Sequence, residues 1–233
     1  MNREPQIDVW IIRLQQPDGV VQAARDLLND DEKARADRFV FEKDTSAFTL
    51  SRAALRTILG RWMDLAPADV DFDYGEKGKP LVRVRGGPHF NLSHSRDMAV
   101  VGVADDVEVG IDVEYARRLR DLDGMARRVF SPAELGRFRN LDGDDQVRFF
   151  FDVWTAKEAI VKGFGEGIGY PFRSLTAPVD DLASPVRVGH EGGSSSTWHM
   201  QRIDVDAPYR CFVAAAQAPG HVAVRHFDFA NHP

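Results

Sequence analysis

The octapeptide VEVGIDVE, residues 107–114, constrains the fold of this chain more than any other stretch. Side chains alternate faces along a strand, so Val107, Val109, Ile111 and Val113 share one face and Glu108, Gly110, Asp112 and Glu114 the other. The valine face must be buried against a second layer. Asp112 and Glu114 then point the same way about 7 Å apart. Carboxylates that close repel unless a cation or proton lies between them. Hard oxygen ligands suit Mg2+, which takes one or two carboxylates and leaves positions for substrate phosphates. The same pattern also describes the solvated face of an edge strand, and the strand by itself leaves both readings open.

The elements around it are mixed. Residues 7–14, IDVWIIRL, read as a buried strand bounded by Pro17 and Gly19. Residues 20–28 and 47–63 carry apolar side chains at helical spacing. GEKGKP at 75–80 is a turn leading into an extended run at 81–84, and residues 90–93 and 98–104 form a strand pair. Ser131, Pro132 and Glu134 supply an N-cap, a first-position proline and a capping-box glutamate. A longer helix runs from about 145 to 163, ended by glycines at 163, 165, 167 and 169. Strand-like runs follow at 185–188, 198–205, 209–216 and 222–229, and EGGSSS at 191–196 is the most flexible loop. The expected fold is α+β with two lobes, residues 1–106 and residues 107–233.

Composition narrows the class of function. With 43% apolar and 28% charged residues in 233, the chain is neither disordered nor fibrous. Acidic residues outnumber basic ones, 36 to 30, which weighs against a dedicated nucleic-acid binder. The single cysteine, Cys211, cannot close an internal disulfide, which favours a reducing cytoplasm. No apolar run reaches the 18 residues that a membrane span needs, and the N-terminal MNREPQIDVWII lacks the pattern of a signal peptide. A soluble cytoplasmic protein is expected.

Three other segments carry candidate chemistry. In WTAKEAIVKGFG, residues 154–165, Glu158 and Lys162 stand at i, i+4 on the flank of an apolar arc, while Lys157 falls near its middle. A surface ion pair accounts for the first two, but a lysine in an apolar arc needs a cleft or a partner. FNLSHS at 90–95 offers short polar donors and His94, which suits phosphate contacts and equally a satisfied turn histidine. Lys79 in GEKGKP suits an anion contact and equally an ordinary exposed turn lysine, since the turn lacks P-loop spacing. Zinc motifs, a nucleophile elbow and a dinucleotide fingerprint are all absent.

The order and spacing of these segments resemble the Sfp-type 4'-phosphopantetheinyl transferases. FNLSHS is followed by VGIDVE and then FFFDVWTAKEAIVKGFGEGIGYPF, with the GKP turn and the ADRF and SRAALR stretches upstream. The likeness extends from about residue 32 to 172. It implies two similar α/β lobes related by a pseudo-two-fold axis, with the active site in the cleft between them. The implied reaction moves the phosphopantetheine arm of coenzyme A onto a serine of an apo acyl- or peptidyl-carrier protein and releases adenosine 3',5'-bisphosphate. The resemblance makes Asp112, Glu114 and Glu158 the Mg2+ ligands, Glu158 also the general base, and Lys162 the partner of the leaving phosphate. Ser93, His94 and Lys79 correspond to coenzyme A contacts, and Arg35 and Arg52 to the cations of the 3'-phosphate. Gly110 would let the backbone approach the cofactor.

Residues 117–128, RRLRDLDGMARR, hold five arginines against two aspartates. With the following Val129 and Phe130 they form the expected docking surface for an acidic carrier domain; a solvated helix face is the alternative. A monomer is expected, with neither nucleic acid nor membrane as partner. Two other readings compete: a Mg2+-dependent phosphohydrolase or nucleotidyl transferase, and a non-catalytic coenzyme A or nucleotide sensor.

Overall fold

A computed structural model describes residues 4–190 and 193–231. The first lobe begins with β1 (Gln6–Arg13), α1 (Asp18–Asp26), α2 (Asp30–Ala36) and α3 (Glu42–Met63). A small ribbon, β2 (Phe72–Tyr74) and β3 (Pro80–Val82), precedes the hairpin β4 (His89–Ser95) and β5 (Met98–Ala104). The second lobe repeats the scheme with β6 (Val109–Tyr115), α4 (Leu122–Val129), α5 (Pro132–Phe138) and α6 (Gly143–Phe164). It closes with β7 (Val186–Gly189), β8 (Ser195–Ile203) and β9 (Tyr209–Ala215), and β10 (His221–Phe227) follows. The sheets run β10-β1-β5-β4 and β6-β9-β8-β7. In both lobes the last hairpin strand therefore lies beside the first strand, and each lobe has one 22-residue helix. No helix among the described residues is long and apolar enough to cross a membrane.

The core has three parts. Leu50, Leu55 and Leu59 of α3 pack on Phe90, Val101 and Val103 of the first sheet. Phe150, Val153, Ile160 and Val161 of α6 pack on Trp198 and Phe212 of the second. Between the sheets, Ile7, Val9, Ile11 and Val100 meet Val109, Ile111, Val113 and Val213. The valine face of VEVGIDVE is thus the second lobe's half of the inter-lobe core.

Several boundaries differ from expectation. β10 pairs in parallel with β1, Ile7 opposite Val222 and Ile12 opposite Phe227. The last strand therefore completes the first lobe's sheet and covers the outer edge of β1, so the division into 1–106 and 107–233 does not hold at the C-terminus. Periodicity identifies a strand but not the sheet that it joins. The unexpected helix α2 starts at a capping box in which Asn29 and Glu32 satisfy each other's backbone N–H groups. Of the loop expected at 191–196, residues 191 and 192 lie outside the described residues, and Ser195 and Ser196 pair with Gly189 and Val188. Val129 and Phe130 are 6% and 0% exposed and pack in the second core, which removes them from the expected docking surface.

Two residues of the second lobe have roles that the sequence pattern left open. A Cβ on Gly110 would run into the Ala159 carbonyl and the Gly163 backbone. Gly110 thus lets β6 lie against the backbone of α6, not against a cofactor, which corrects the expectation for it. Lys157, in the apolar arc of α6, is fully buried and donates to Glu134 Oε2 (2.6 Å), the Val129 carbonyl (2.9 Å) and the Phe172 carbonyl (3.0 Å). Glu134 also accepts from the backbone of Ser131 and Ala177, at 2.7 Å each. One buried ion pair therefore ties α4, α5, α6 and the segment after α6 together. Gly110→Ala should cost about 3 kcal/mol by overpacking the β6–α6 contact; chemical denaturation measures the loss, and an unchanged midpoint would contradict the packing argument.

Candidate active site

The site grows out of the seam between β4 and β6. β6 ends its sheet, so N–H groups along its free edge have no strand partner. Three side chains from alternate positions of β4 take their place. Asn91 Oδ1 accepts from Ile111 N at 3.0 Å, Ser93 Oγ from Val113 N at 3.4 Å, and Ser95 Oγ from Tyr115 N at 3.1 Å. Each contact spans 20 residues, so the two strands run alongside in constant register. The serines then donate to the carboxylates of β6: Ser93 to Asp112 Oδ1 at 2.7 Å and Ser95 to Glu114 Oε2 at 2.9 Å.

Helix α6 supplies the remaining charges. Lys162 Nζ donates to Asp112 Oδ1 at 2.5 Å and to Ser93 Oγ at 3.0 Å. Asp112 is only 2% exposed, and its Oδ2 has no hydrogen-bond partner among the described residues. Glu158, one turn before Lys162, is also buried. Burial first, then the neighbouring Asp112 carboxylate, pushes its pKa from 4.5 up to about 7. Burial works against the Lys162 ammonium, but Asp112, with Glu158 and Glu114 behind it, outweighs that and raises its pKa. The expected Glu158–Lys162 surface pair is thus an interior group of charges in which Lys162 turns to Asp112.

No three His, Cys, Asp or Glu side chains among the described residues stand as a ready-made metal cage. The donor set nevertheless fits Mg2+, which binds through one or two carboxylates and fills its other positions with water and phosphate oxygens. The unpartnered Asp112 Oδ2 and the mutual repulsion of Asp112 and Glu158 mark a place short of positive charge.

The other candidate residues lie in more than one place. Lys79, on the turn between β2 and β3, reaches across the lobes to the carbonyls of Val109 (3.4 Å) and Gly163. It lines a pocket of about 170 Å³ with Lys162, Asn91, Gly165 and Gly167. Strand alternation sends His94 to the face opposite Ser93, and loss of solvent contact, followed by the Lys162 charge, holds its imidazole below the usual value. Arg35 lies over the Phe48 ring with its guanidinium 5.3 Å from the centroid, and has no carboxylate partner among the described residues. Arg52 instead is tied to Glu32 (Nε to Oε1, 2.7 Å), which also accepts from Arg56 at 2.6 Å. Arg35 and Arg52 line a second pocket of about 320 Å³ with Phe72, Tyr74 and Arg83. Asn91 and Ser95, read in the sequence only as phosphate donors, instead cap the β6 edge and hold Glu114, and Trp154, read as part of the apolar arc, also touches the site. The period-two spacing of Asn91, Ser93 and Ser95 was the available signal.

Comparison with known proteins shows the family. Residues 108–214 match the 4'-phosphopantetheinyl transferase superfamily, and residues 17–105 match the 4'-phosphopantetheinyl transferase N-terminal family. The 4'-phosphopantetheinyl transferase HetI of Nostoc sp. is 35% identical over 83% of this chain and 92% of its own. The 4'-phosphopantetheinyl transferase Sfp of Bacillus subtilis is 28% identical over 81% of this chain and 82% of its own. A holo-(acyl-carrier-protein) synthase from Bacillus anthracis, solved with CoA (3',5'-ADP), is 19% identical with a TM-score of 0.35, over 47% of this chain and 95% of that one. This chain belongs to the 4'-phosphopantetheinyl transferase superfamily.

The raised pKa of Glu158 has a consequence for stability. The folded chain keeps a proton up to about pH 7 that the unfolded chain releases near 4.5, so stability falls as pH rises through that window. The full loss is of the order of 3 kcal/mol. In chelator, Glu158→Gln should remove this decline and melt above the wild type at pH 8; identical pH profiles of melting temperature would refute it.

Proposed function

We propose that this chain transfers the 4'-phosphopantetheine arm of coenzyme A to a serine of an apo acyl- or peptidyl-carrier protein, with Mg2+ as cofactor. The observation that carries this reading is the convergence of Asp112, Glu158 and Lys162 on one wall of a cleft that Lys79 enters from the other lobe. The serine Oγ bonds to the pantetheine-side phosphorus, and the bond from that phosphorus to the bridging oxygen breaks. Glu158 takes the serine proton, directly or through one water. Lys162 faces the departing adenosine 3',5'-bisphosphate and offsets its charge. Asp112 and Glu158 would hold Mg2+ with Glu114 beside them, and the bound ion supplies charge neutralisation of the pyrophosphate.

The nucleotide end of coenzyme A is assigned to the first lobe. Arg35, Arg52 and His94 serve as the 3'-phosphate contacts; Arg52 shares the single Glu32 carboxylate with Arg56, so this group keeps a net positive charge. Ser93 supports Asp112 and Lys162 from the seam. Exposed Arg117, Arg118, Arg120, Arg127 and Arg128 lie on and before α4, a few residues beyond Glu114, and present a basic face to an acidic carrier domain. Two of them, Arg118 and Arg127, make only exposed ion pairs, with Asp144 and Asp123, which a partner can displace at small cost. The chain works as a monomer in the cytoplasm in this reading: it supplies both cleft walls, and its one cysteine is a buried free thiol.

Incubation with coenzyme A, Mg2+ and an apo carrier should yield a carrier heavier by the phosphopantetheine arm in mass spectrometry. Asp112→Ala and Glu158→Ala should each lower turnover by at least about a hundredfold with the fold retained; near-normal turnover in either would refute the assignment. Arg117→Glu with Arg118→Glu should raise the carrier KM and leave the coenzyme A KM alone. An unchanged carrier KM would remove this face from the docking surface.

A further inference from the structure

Glu114 is held differently from the other two carboxylates. Its Oε2 accepts from Ser95 Oγ at 2.9 Å, and its Oε1 accepts from the Trp154 indole N–H at 3.2 Å. The donors come from opposite sides: Ser95 from β4 of the first lobe, and Trp154 from α6 of the second. Both are themselves fixed. Ser95 Oγ accepts from Tyr115 N at 3.1 Å, which occupies a lone pair and turns its proton to the carboxylate. The Trp154 ring is stacked between Phe150, at 6.4 Å and 13°, and Phe172, at 5.7 Å and 10°.

A glutamate has three side-chain torsions, and a half-buried one without donors would spread over several rotamers. One donor on each oxygen selects a single orientation, yet an ionised carboxylate has about four acceptor sites, so two remain for another ligand. The second donor is also why the indole matters chemically: a phenyl ring in the same stack would fill the space but leave Oε1 without its bond.

We propose that Ser95 and Trp154 are positioning residues for Glu114, and that together they set the direction in which its carboxylate faces the cleft and hence the affinity of the site for a divalent cation. This rests on the metal reading given above. Donors behind a ligating carboxylate act in this way in metal sites generally. Ser95 would then link inter-lobe seam and cation site in one hydroxyl, receiving the β6 backbone on one side and orienting the ligand on the other.

Mn2+ titration followed by electron paramagnetic resonance, on the full chain without coenzyme A, tests the clamp. Trp154→Phe keeps the stack and deletes the N–H; Ser95→Ala deletes the hydroxyl; Ser95→Thr restores it. The first two should weaken Mn2+ binding roughly tenfold, and Ser95→Thr should bind as the wild type does. Half-saturating Mg2+ for transfer should rise with the Mn2+ dissociation constant, while coenzyme A affinity in chelator stays the same. Loss of packing alone would lower turnover at every Mg2+ concentration and leave Mn2+ binding intact, and that result overturns the proposal. Unchanged Mn2+ binding in both deletion variants, against a wild type that binds, sinks the clamp alone. A wild type that takes up no Mn2+ sinks the clamp and the metal reading together.

Discussion

Asn91, Ser93 and Ser95 satisfy the free edge of β6, and most of what the molecule can do depends on those three contacts. A sheet edge facing a second sheet inside a protein is costly, because each unpaired N–H loses its bond to water. A continuous sheet would solve this by backbone pairing. Here side chains do it, and the difference matters chemically. A backbone carbonyl accepts and ends there, whereas a serine hydroxyl accepts from the strand and donates onward. The seam therefore passes from structure into the site within one atom: Val113 N to Ser93 Oγ to Asp112, and Tyr115 N to Ser95 Oγ to Glu114. The lobes cannot shift register without moving both carboxylates.

A second constraint fixes α6 from behind. Lys157 and Glu134 form a fully buried pair whose remaining hydrogen-bonding capacity is met by the backbone at Val129, Ser131, Phe172 and Ala177. Such a pair contributes little net stability compared with an apolar replacement, but removal of one partner strands the other. Its effect is to fix rotation: with Lys157 pointing away from the cleft, Glu158 and Lys162 must face toward it. Gly110 completes the arrangement by letting β6 approach the backbone of α6. The close approach brings Lys162 within reach of Asp112, a charge on the helix meeting one on the strand.

Much of this was legible in the chain. The alternation in VEVGIDVE announced a buried valine face and a carboxylate face, and the spacing in WTAKEAIVKGFG placed Glu158 and Lys162 together. The three separated motifs pointed to the family. What stayed hidden is non-local. Nothing in residues 222–229 says that they pair with β1, since a strand pattern carries no address. The pairing of Arg52 with Glu32 was hidden because the two lie 20 positions apart, across a turn of the chain. Val129 and Phe130 looked like an apolar edge for a partner, but they face the core because α4 folds back on α6. Lys157 was visible as an anomaly, and only Glu134, 23 residues upstream, explains it.

The charges show why a bulk balance is a poor guide to such a protein. The exposed ion pairs, such as Arg118 with Asp144 and Arg127 with Asp123, are of small value. The cleft gathers Asp112, Glu114 and Glu158 around Lys162, and burial first, then the neighbouring Asp112 carboxylate, raises the pKa of Glu158. Packing does not relieve that crowding, and Lys162 neutralises one carboxylate only in part. A site built this way is stabilised by whatever positive charge enters it. In the proposed reading, the crowding of Asp112 and Glu158 that costs the fold stability would strengthen the hold on a cation, so that stability and cation affinity would trade against each other.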